Sequence, residues 1–524
     1  MHTILPNPNG TTALRDHRIT LPETVSIQFD RFAPWCADAF LERTGCTAAE
    51  NGFKITLKSD ADLPKEGYRF QISGSGIVIY AAEEIGVVWA LTSVYHLLDA
   101  DRTLPVGSVQ DAPKYGYRGQ SLDCARHFFS TDIVKKVIEQ ISLVKMNVLH
   151  WHLTDDQAWR IESRAFPKLQ EVSGDFYTWD EIREIVEFAR VRGVEIIPEL
   201  DLPGHTTGIL AAYPEYSCFG EEVSLATAGG IYPIILCAGK NPVFELVETL
   251  LSEICPLFPA ERFHIGGDEA PKSEWVKCPD CRKRMEDENL SGVEDLQGWF
   301  TIRVAEMLKQ HGKKPICWND ALKSSILPED TLIQYWTAQH LKQMEPYFEA
   351  GGPFIYSDMF DLYFDYPHSM IPLKRAYECA PAIGKESCAD AENMLGIESC
   401  LWAEHIVTPE QLFTRLFPRA YAVAEAAWSK ERAYDDFRQR LRPLMEKAAA
   451  AGVTGTAESW WDPKGKERRE DALGYMARMT AAIPKNAKDT IADAGGDSSA
   501  FLMGFATKFF TPADIPHLLK LFKS

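Results

Sequence analysis

The sequence predicts an α/β protein whose larger part is a (β/α)8 TIM barrel preceded by a small α/β domain, and three observations carry that reading. Eight short apolar or β-branched runs alternate with capped amphipathic segments from Tyr117 onward. Nearly every run ends in acids, histidines or tryptophan, as expected where the C-terminal ends of barrel strands share one pocket. The pattern before residue 114 is shorter and mixed, and 524 residues exceed one ordinary core. Residues 1–113 are therefore assigned to the N-terminal α/β domain, 114–450 to the barrel, and 451–524 to a mostly helical C-terminal extension.

In the first domain, strand-like "SIQF", "FKITLKS" and "YRFQISGSGIVIYA" precede the helical "EEIGVVWALTSVYHLL", and the turn-rich "VQDAPKYG" closes the unit. The barrel strands are expected at "GQSLD", "MNVLHWH", "VEIIPELD", "RFHIGGDE", "KPICWND", "LIQYW", "FIYSD" and "IESCLWAE". Between them the helix signals are explicit. "TWDE" at Thr178 to Glu181 is a capping box and Gly193 stops the helix that follows. Asn241-Pro242 and Thr408-Pro409 each place a capping residue before a first-turn proline. Beyond "TPEQLFTRLFPRAYAVAEAAW" the chain is less regular, with "DAGGDSSA" as a flexible loop and a last apolar stretch that packs on the barrel. "MEPYFEAGGP" and "AYECAPAIGKESCADAEN" are candidate loops for shaping specificity.

Composition narrows the function. With 45% hydrophobic and 25% charged residues and no apolar run long enough for a bilayer, no membrane-spanning segment is expected. The 75 acids against 55 Lys and Arg leave a formal charge of -20, which repels phosphate backbones and anionic membranes and favours a neutral or cationic ligand over nucleic acid. The twelve cysteines are scattered, and "CPDC" (Cys278, Cys281) is the only tight spacing; a metal, a disulfide and two ordinary thiols all remain open there. "MHTILPNPNGTTALRDH" has no apolar core of the signal-peptide kind, so the protein either stays in the cytoplasm or is a mature exported form. Asn9-Gly-Thr11 and Asn289-Leu-Ser291 are sequons by pattern alone.

Within "HIGGDEA", Asp268 and Glu269 follow two glycines that permit close approach where a strand ends. The alternative is a salt-bridged or helix-capping pair. Ordinary glycosidases hold two carboxylates about 5 to 9 Å apart across the bond they cleave. Neighbouring residues diverge instead, so two acting acids here must address different parts of a substrate. His150 and His152 share one strand face and would suit zinc, but metal-dependent barrels need further strand-end histidines and only His205 qualifies, which favours a hydrogen-bonded network. Trp151, Trp318, Trp336 and Trp402 lie in or beside strand endings; each alone reads as core, but together beside carboxylates they suggest an apolar box for a sugar ring.

Taken in order, "YRGQSLDCARHF", "NVLHWHLTDDQAWR", "ELDLPGH", "HIGGDE", "LYFD" and "CLWAE" resemble the family-20 glycoside hydrolases, the β-N-acetylhexosaminidases, over about Ser26 to Ser429. The resemblance implies an exo-acting, retaining enzyme on β-linked N-acetylglucosamine or N-acetylgalactosamine, with no cofactor and no catalytic metal. It implies Glu269 as general acid and base, and Asp268 as the group orienting the substrate's 2-acetamido nucleophile. Tyr363 would donate to the acetamido oxygen and Asp365 would bind a hydroxyl, while Arg126 and Glu404 would hold the 3- and 4-hydroxyls. Trp318, Trp336 and Trp402 would wall the sugar, and Asp155 with His205 would tune the proton on Glu269. A disaccharide-releasing relative of the lacto-N-biosidase kind and a silent sugar-binding barrel are the alternatives; the intact acid pair, Tyr363 and Arg126 speak against the second.

Overall fold

The computed structural model describes residues 2–482 together with Phe509 and Phe510. Strands β1 (Thr12–Thr20), β2 (Thr24–Phe29), β3 (Thr47–Ala48), β4 (Phe53–Ser59), β5 (Tyr68–Ser73), β6 (Gly76–Ala81) and β7 (Thr103–Asp111) form one sheet in the order β1-β7-β5-β6-β4-β2-β3. The helix Glu84–Leu97 lies on it and buries Trp89, Leu91 and Val94. Two strands escape the sequence pattern. β1 is exposed along almost its whole length, so it offers no alternating apolar signal; its charges and a register break between Leu14 and Arg18 suit an edge. "VQD" belongs to β7, and the turn expected there begins only after Asp111.

The barrel strands fall on the eight predicted runs: β8 (Tyr117–Asp123), β9 (Val148–His152), β10 (Glu195–Glu199), β11 (Arg262–His264), β12 (Lys314–Trp318), β13 (Leu332–Tyr335) and β14 (Phe354–Tyr356), then, after a small hairpin of β15 (Ala382–Ile383) and β16 (Glu386–Ser387), β17 (Met394–Leu401). They are parallel and close in the order β10-β11-β12-β13-β14-β17-β8-β9. The interior changes character along its axis. Tyr117, Val148, Ile197, Ile316, Leu332 and Ile355 make an apolar plug toward the N-terminal end. Above it, His150, Glu199, His264, Gln334 and Glu398 are all buried, so the barrel's upper half is polar and must satisfy itself.

Thr178 and Thr408 each form a capping box, with Glu181 and Gln411. Gly193 has φ 74°, the left-handed stop expected of it. Asn241 does not cap: it is the first residue of Asn241–Ile254, and its side chain accepts from Arg284 instead. "MEPYFEAGGP" and "AYECAPAIGKESCADAEN" lead into the starts of β14 and β17, where Asn393 Nδ2 donates to Gly352 O (2.8 Å) and Tyr115 Oη to Ala389 O (2.6 Å). They therefore sit at the N-terminal face, away from the strand ends, and do not shape the site. "DAGGDSSA" and most of the last apolar stretch lie outside the described residues; Phe509 packs its ring 5.8 Å from Tyr366.

The first domain docks through buried polar contacts. Lys145 Nζ lies 3.2 Å from Asp111 Oδ2 with both side chains fully buried, and Tyr68 Oη (2.7 Å) and Trp428 Nε1 (3.0 Å) also donate to Asp111.

Candidate active site

The ends of seven barrel strands, or the segments just after them, meet at one cavity of about 190 Å³, lined among others by Arg126, Asp268, Glu269, Trp336, Tyr363, Asp365, Trp402 and Glu404. A larger groove of about 1070 Å³ lies between the first domain and the helix Tyr434–Ala450, but no convergent acid pair lines it. The strand-end cavity is therefore where the predicted chemistry can occur.

The paired glycines have a local cause. Gly266 has φ 63° and a Cβ there would stand 1.9 Å from Asp201 Oδ1, while the Gly267 amide donates to that same oxygen (3.0 Å). The strand end must fold over the Asp201 carboxylate, and only glycine fits. The turn then delivers Asp268 and Glu269 with different environments, their side chains 16% and 35% exposed. Glu269 itself has φ 47° and His205 φ 50°, conformations that non-glycine residues hold where surroundings impose them.

Behind the acids, His205 Nδ1 lies 3.2 Å from Asp155 Oδ1 and 3.1 Å from Asp156 Oδ2, and its Nε2 faces Glu269 Oε2 at 3.6 Å and Asp268 Oδ2 at 3.9 Å. Burial opposes a charge on this ring, but the surrounding carboxylates, Asp155 foremost, raise its pKa well above the usual histidine range. Asp155 is buried too, yet Arg126 and His205 hold its carboxyl far below the usual range. His152 links Asp155 (2.8 Å) to Glu199, which also accepts from Trp318 Nε1 (2.9 Å) and contacts His150 (3.1 Å) and His264 (3.0 Å). The two neighbouring histidines thus serve a network of buried carboxylates that favour their charged form: against burial, Glu398 (2.8 Å) and then Glu199 raise His150 to about 10, and Glu199 and Asp155 raise His152 to about 9.

Burial pushes Asp268 up to about 7, with Asp320 and Glu269 adding to the rise and His205 opposing it; its Oδ1 has no partner among the described residues. Asp365 is likewise raised to about 7 by burial and by Glu404, with an unpartnered Oδ1. Arg126 is held by Asp155 (2.7 Å) and Asp123 (3.3 Å) over the Trp402 ring (5.1 Å). Trp336 stacks on Tyr363 with centroids 6.2 Å apart and an 11° interplanar angle, and its Nε1 donates to Asp320 (2.8 Å). The cavity thus offers aromatic walls, a fixed guanidinium and two carboxyl groups that each keep one oxygen without a partner among the described residues, which suits a ring bearing several hydroxyls.

Eight predicted residues line this cavity. His205 and Asp155 stand behind it. Trp318 departs from expectation: it is buried under the floor, tied to Glu199 and 5.9 Å from Trp402, so it supports Trp402 and forms no wall. Trp151 is core, against Tyr177. Sequence reasoning missed Asp156, Glu199, Asp201, Asp320 and Tyr366, although "TDD", "ELD" and "WND" carried the strand-end signal; Tyr366 lies ten residues past the end of β14, beside "LYFD".

A barrel whose strand ends gather an acid pair, a held arginine and stacked aromatics around a one-ring cavity defines a glycoside hydrolase. The chain belongs to glycosyl hydrolase family 20: the model of that family's catalytic domain matches residues 115–431 and that of its domain 2 matches residues 1–112. A "Beta-hexosaminidase" of Porphyromonas gingivalis is 34% identical over 432 residues, covering 75% of this chain but only 54% of that relative. Among solved structures, the exo β-N-acetylglucosaminidase of Vibrio harveyi in complex with N-acetylglucosamine superposes with a TM-score of 0.79 at 28% identity, covering 87% of this chain and 78% of that one. The β-N-acetylhexosaminidase of Bacteroides fragilis gives 0.79 at 30% identity, covering 89% and 98%.

Proposed function

We propose that this chain is an exo-acting, retaining β-N-acetylhexosaminidase that releases terminal β-linked N-acetylglucosamine or N-acetylgalactosamine, with the substrate's 2-acetamido group as nucleophile. One observation carries the reading: two adjacent carboxyl groups, unequally exposed and separately supported, at a cavity with room for one small polar ring, below the roughly 300–1,000 Å³ of drug-sized sites. Such a pair does not flank one bond, which fits family 20 as an exception to the two-carboxylate scheme.

Glu269, the more exposed acid, gives its proton to the glycosidic oxygen as the acetamido carbonyl oxygen attacks the anomeric carbon and the leaving bond breaks. Asp268, the inner acid, accepts the acetamido N–H as carboxylate and stabilises the positive charge that develops on the oxazolinium ring. Tyr363 donates to the acetamido oxygen, and Trp336, Trp402 and Tyr363 exclude water from the methyl side. Arg126, Glu404 and Asp365 bind ring hydroxyls, which give Asp365 Oδ1 its missing partner. Water then opens the ring from the face the leaving group left, Glu269 takes its proton, and configuration is retained. No step uses a metal or cofactor. The disaccharide-releasing alternative calls for room beyond one ring.

The test is turnover of p-nitrophenyl β-N-acetylglucosaminide, its galacto epimer and the plain β-glucoside. The first two should react and the glucoside should not; equal turnover of the glucoside would sink the substrate-assisted step. On natural glycosides Glu269→Gln should lower kcat by about 10²- to 10⁴-fold with little change in KM.

A further inference from the structure

The cysteines of "CPDC" do not stand alone. Cys278 and Cys281, from the segment after Glu269, meet Cys218 and Cys237, from the segment after β10, so that all four Sγ atoms lie within 4.8 Å of one another. Cys237 Sγ is 3.5 Å from Cys281 and 3.8 Å from Cys278, and Cys218 Sγ is 3.8 Å from Cys281. Four sulfurs each about 2.3 Å from one tetrahedral zinc stand about 3.8 Å apart. Three of the six Sγ–Sγ edges therefore already have about that length, and the other three are no longer than 4.8 Å. They are free and buried, Cys218 at 6% and the others at 0% exposure.

The backbone is arranged for the same end. Gly239 hydrogen-bonds Cys237 through its amide, and a Cβ on Gly239 would stand 2.2 Å from the Asp280 carbonyl carbon, so glycine lets the two segments close around the sulfurs. Lys240 Nζ donates to Ser217 O (2.6 Å), which ties the chain just after Cys237 to the residue before Cys218. Four buried thiols packed only against each other would waste their polarity, whereas four thiolates on one closed ion satisfy it.

We propose that Cys218, Cys237, Cys278 and Cys281 bind one structural Zn²⁺, which enters as the four thiols release four protons and become its thiolate ligands. The site would be closed, with no position for substrate, and lies outside the sugar cavity. Its effect is to clamp two active-site segments together. The first carries His205 and, between its two cysteines, Ala228, which accepts from Gln157 (2.7 Å), and Gly229, beside Glu404. The second starts at Asp268 and Glu269 and holds Trp275, whose Nε1 donates to Leu236 O (3.0 Å).

The full chain purified under reducing conditions should contain one zinc per molecule by elemental mass spectrometry, and titration with an organomercurial should release that zinc as the thiols react. Exchange for Co²⁺ should give thiolate-to-cobalt charge transfer and the visible bands of a tetrahedral ion. Cys281→Ser should lose the metal, while Cys36→Ser, a buried thiol of the first domain, should keep it. Protein that carries no zinc and takes none up from zinc-supplemented buffer would overturn the proposal, as would thiols at these four positions that alkylate only after reduction, which means two disulfides. If Cys281→Ser does not fold, the metal content and cobalt spectrum of the unaltered chain decide alone. These readouts are independent of glycosidase activity.

Discussion

At the residue scale, the acid that the proposed reaction needs ionised is also one the fold penalises. Asp268 sits near 7 when folded because of burial, against about 3.9 for an unfolded aspartate. The folded state therefore binds the proton more tightly, so the stability contribution of Asp268 is fully present below about pH 4 and is lost as pH rises through about 7. Asp268→Asn should accordingly raise Tm at pH 8 by a few degrees, with the difference vanishing near pH 4, while it lowers kcat on N-acetylglucosaminides. Thermal melts at the two pH values beside initial rates check both halves; an unchanged rate would remove Asp268 from the mechanism. The acids found from sequence, Asp268 and Glu269, lay beside a glycine pair that drew attention to them. Asp201 and Asp320 act by holding a turn or an indole, and nothing in their spelling distinguishes that work from ordinary solvation.

Elements were legible where burial or capping chemistry left a mark in the sequence. The barrel strands could be read as short apolar runs, buried on both faces and ending in polar residues, and the two capping boxes from their residue types at fixed spacing. β1 could not, being exposed throughout, and Trp318 was misjudged because adjacency to a strand end does not say which side of the pocket floor an indole occupies. The β11 end gives the sharpest test of how an element sets the site. Gly266→Ala meets the Asp201 carboxylate at 1.9 Å with φ at 63°, whereas Gly267→Ala, at φ 95°, meets nothing closer than 3.8 Å. Gly266→Ala should cost about 1–3 kcal/mol and displace the acid pair, with kcat falling by up to about 10²-fold. Gly267→Ala should lose stability through its backbone alone and keep more of the rate. Paired measurements of Tm and kcat separate the two.

Across the whole molecule, the first domain and the barrel are joined by buried charge, which couples their unfolding. Asp111→Ala would leave Lys145 buried without its carboxylate and strip the acceptor from Tyr68 and Trp428; the expected loss is about 3–5 kcal/mol. Calorimetry of the unaltered protein should show one cooperative transition, and the variant should melt earlier or split into two; two transitions in the unaltered protein would mean the domains are independent. The sequence announced both domains but not this joint, because Asp111 and Lys145 are far apart in the chain and each reads singly as surface.

The 190 Å³ cavity also governs how a long glycan would be consumed. If one ring is bound per cleavage, as proposed, and the cavity alone holds the chain, the shortened chain would leave after each cleavage and compete afresh with every other end in solution. Degradation is then distributive: a population of oligomers shortens in step, one ring per encounter, and intermediates of each length accumulate before the shortest appear.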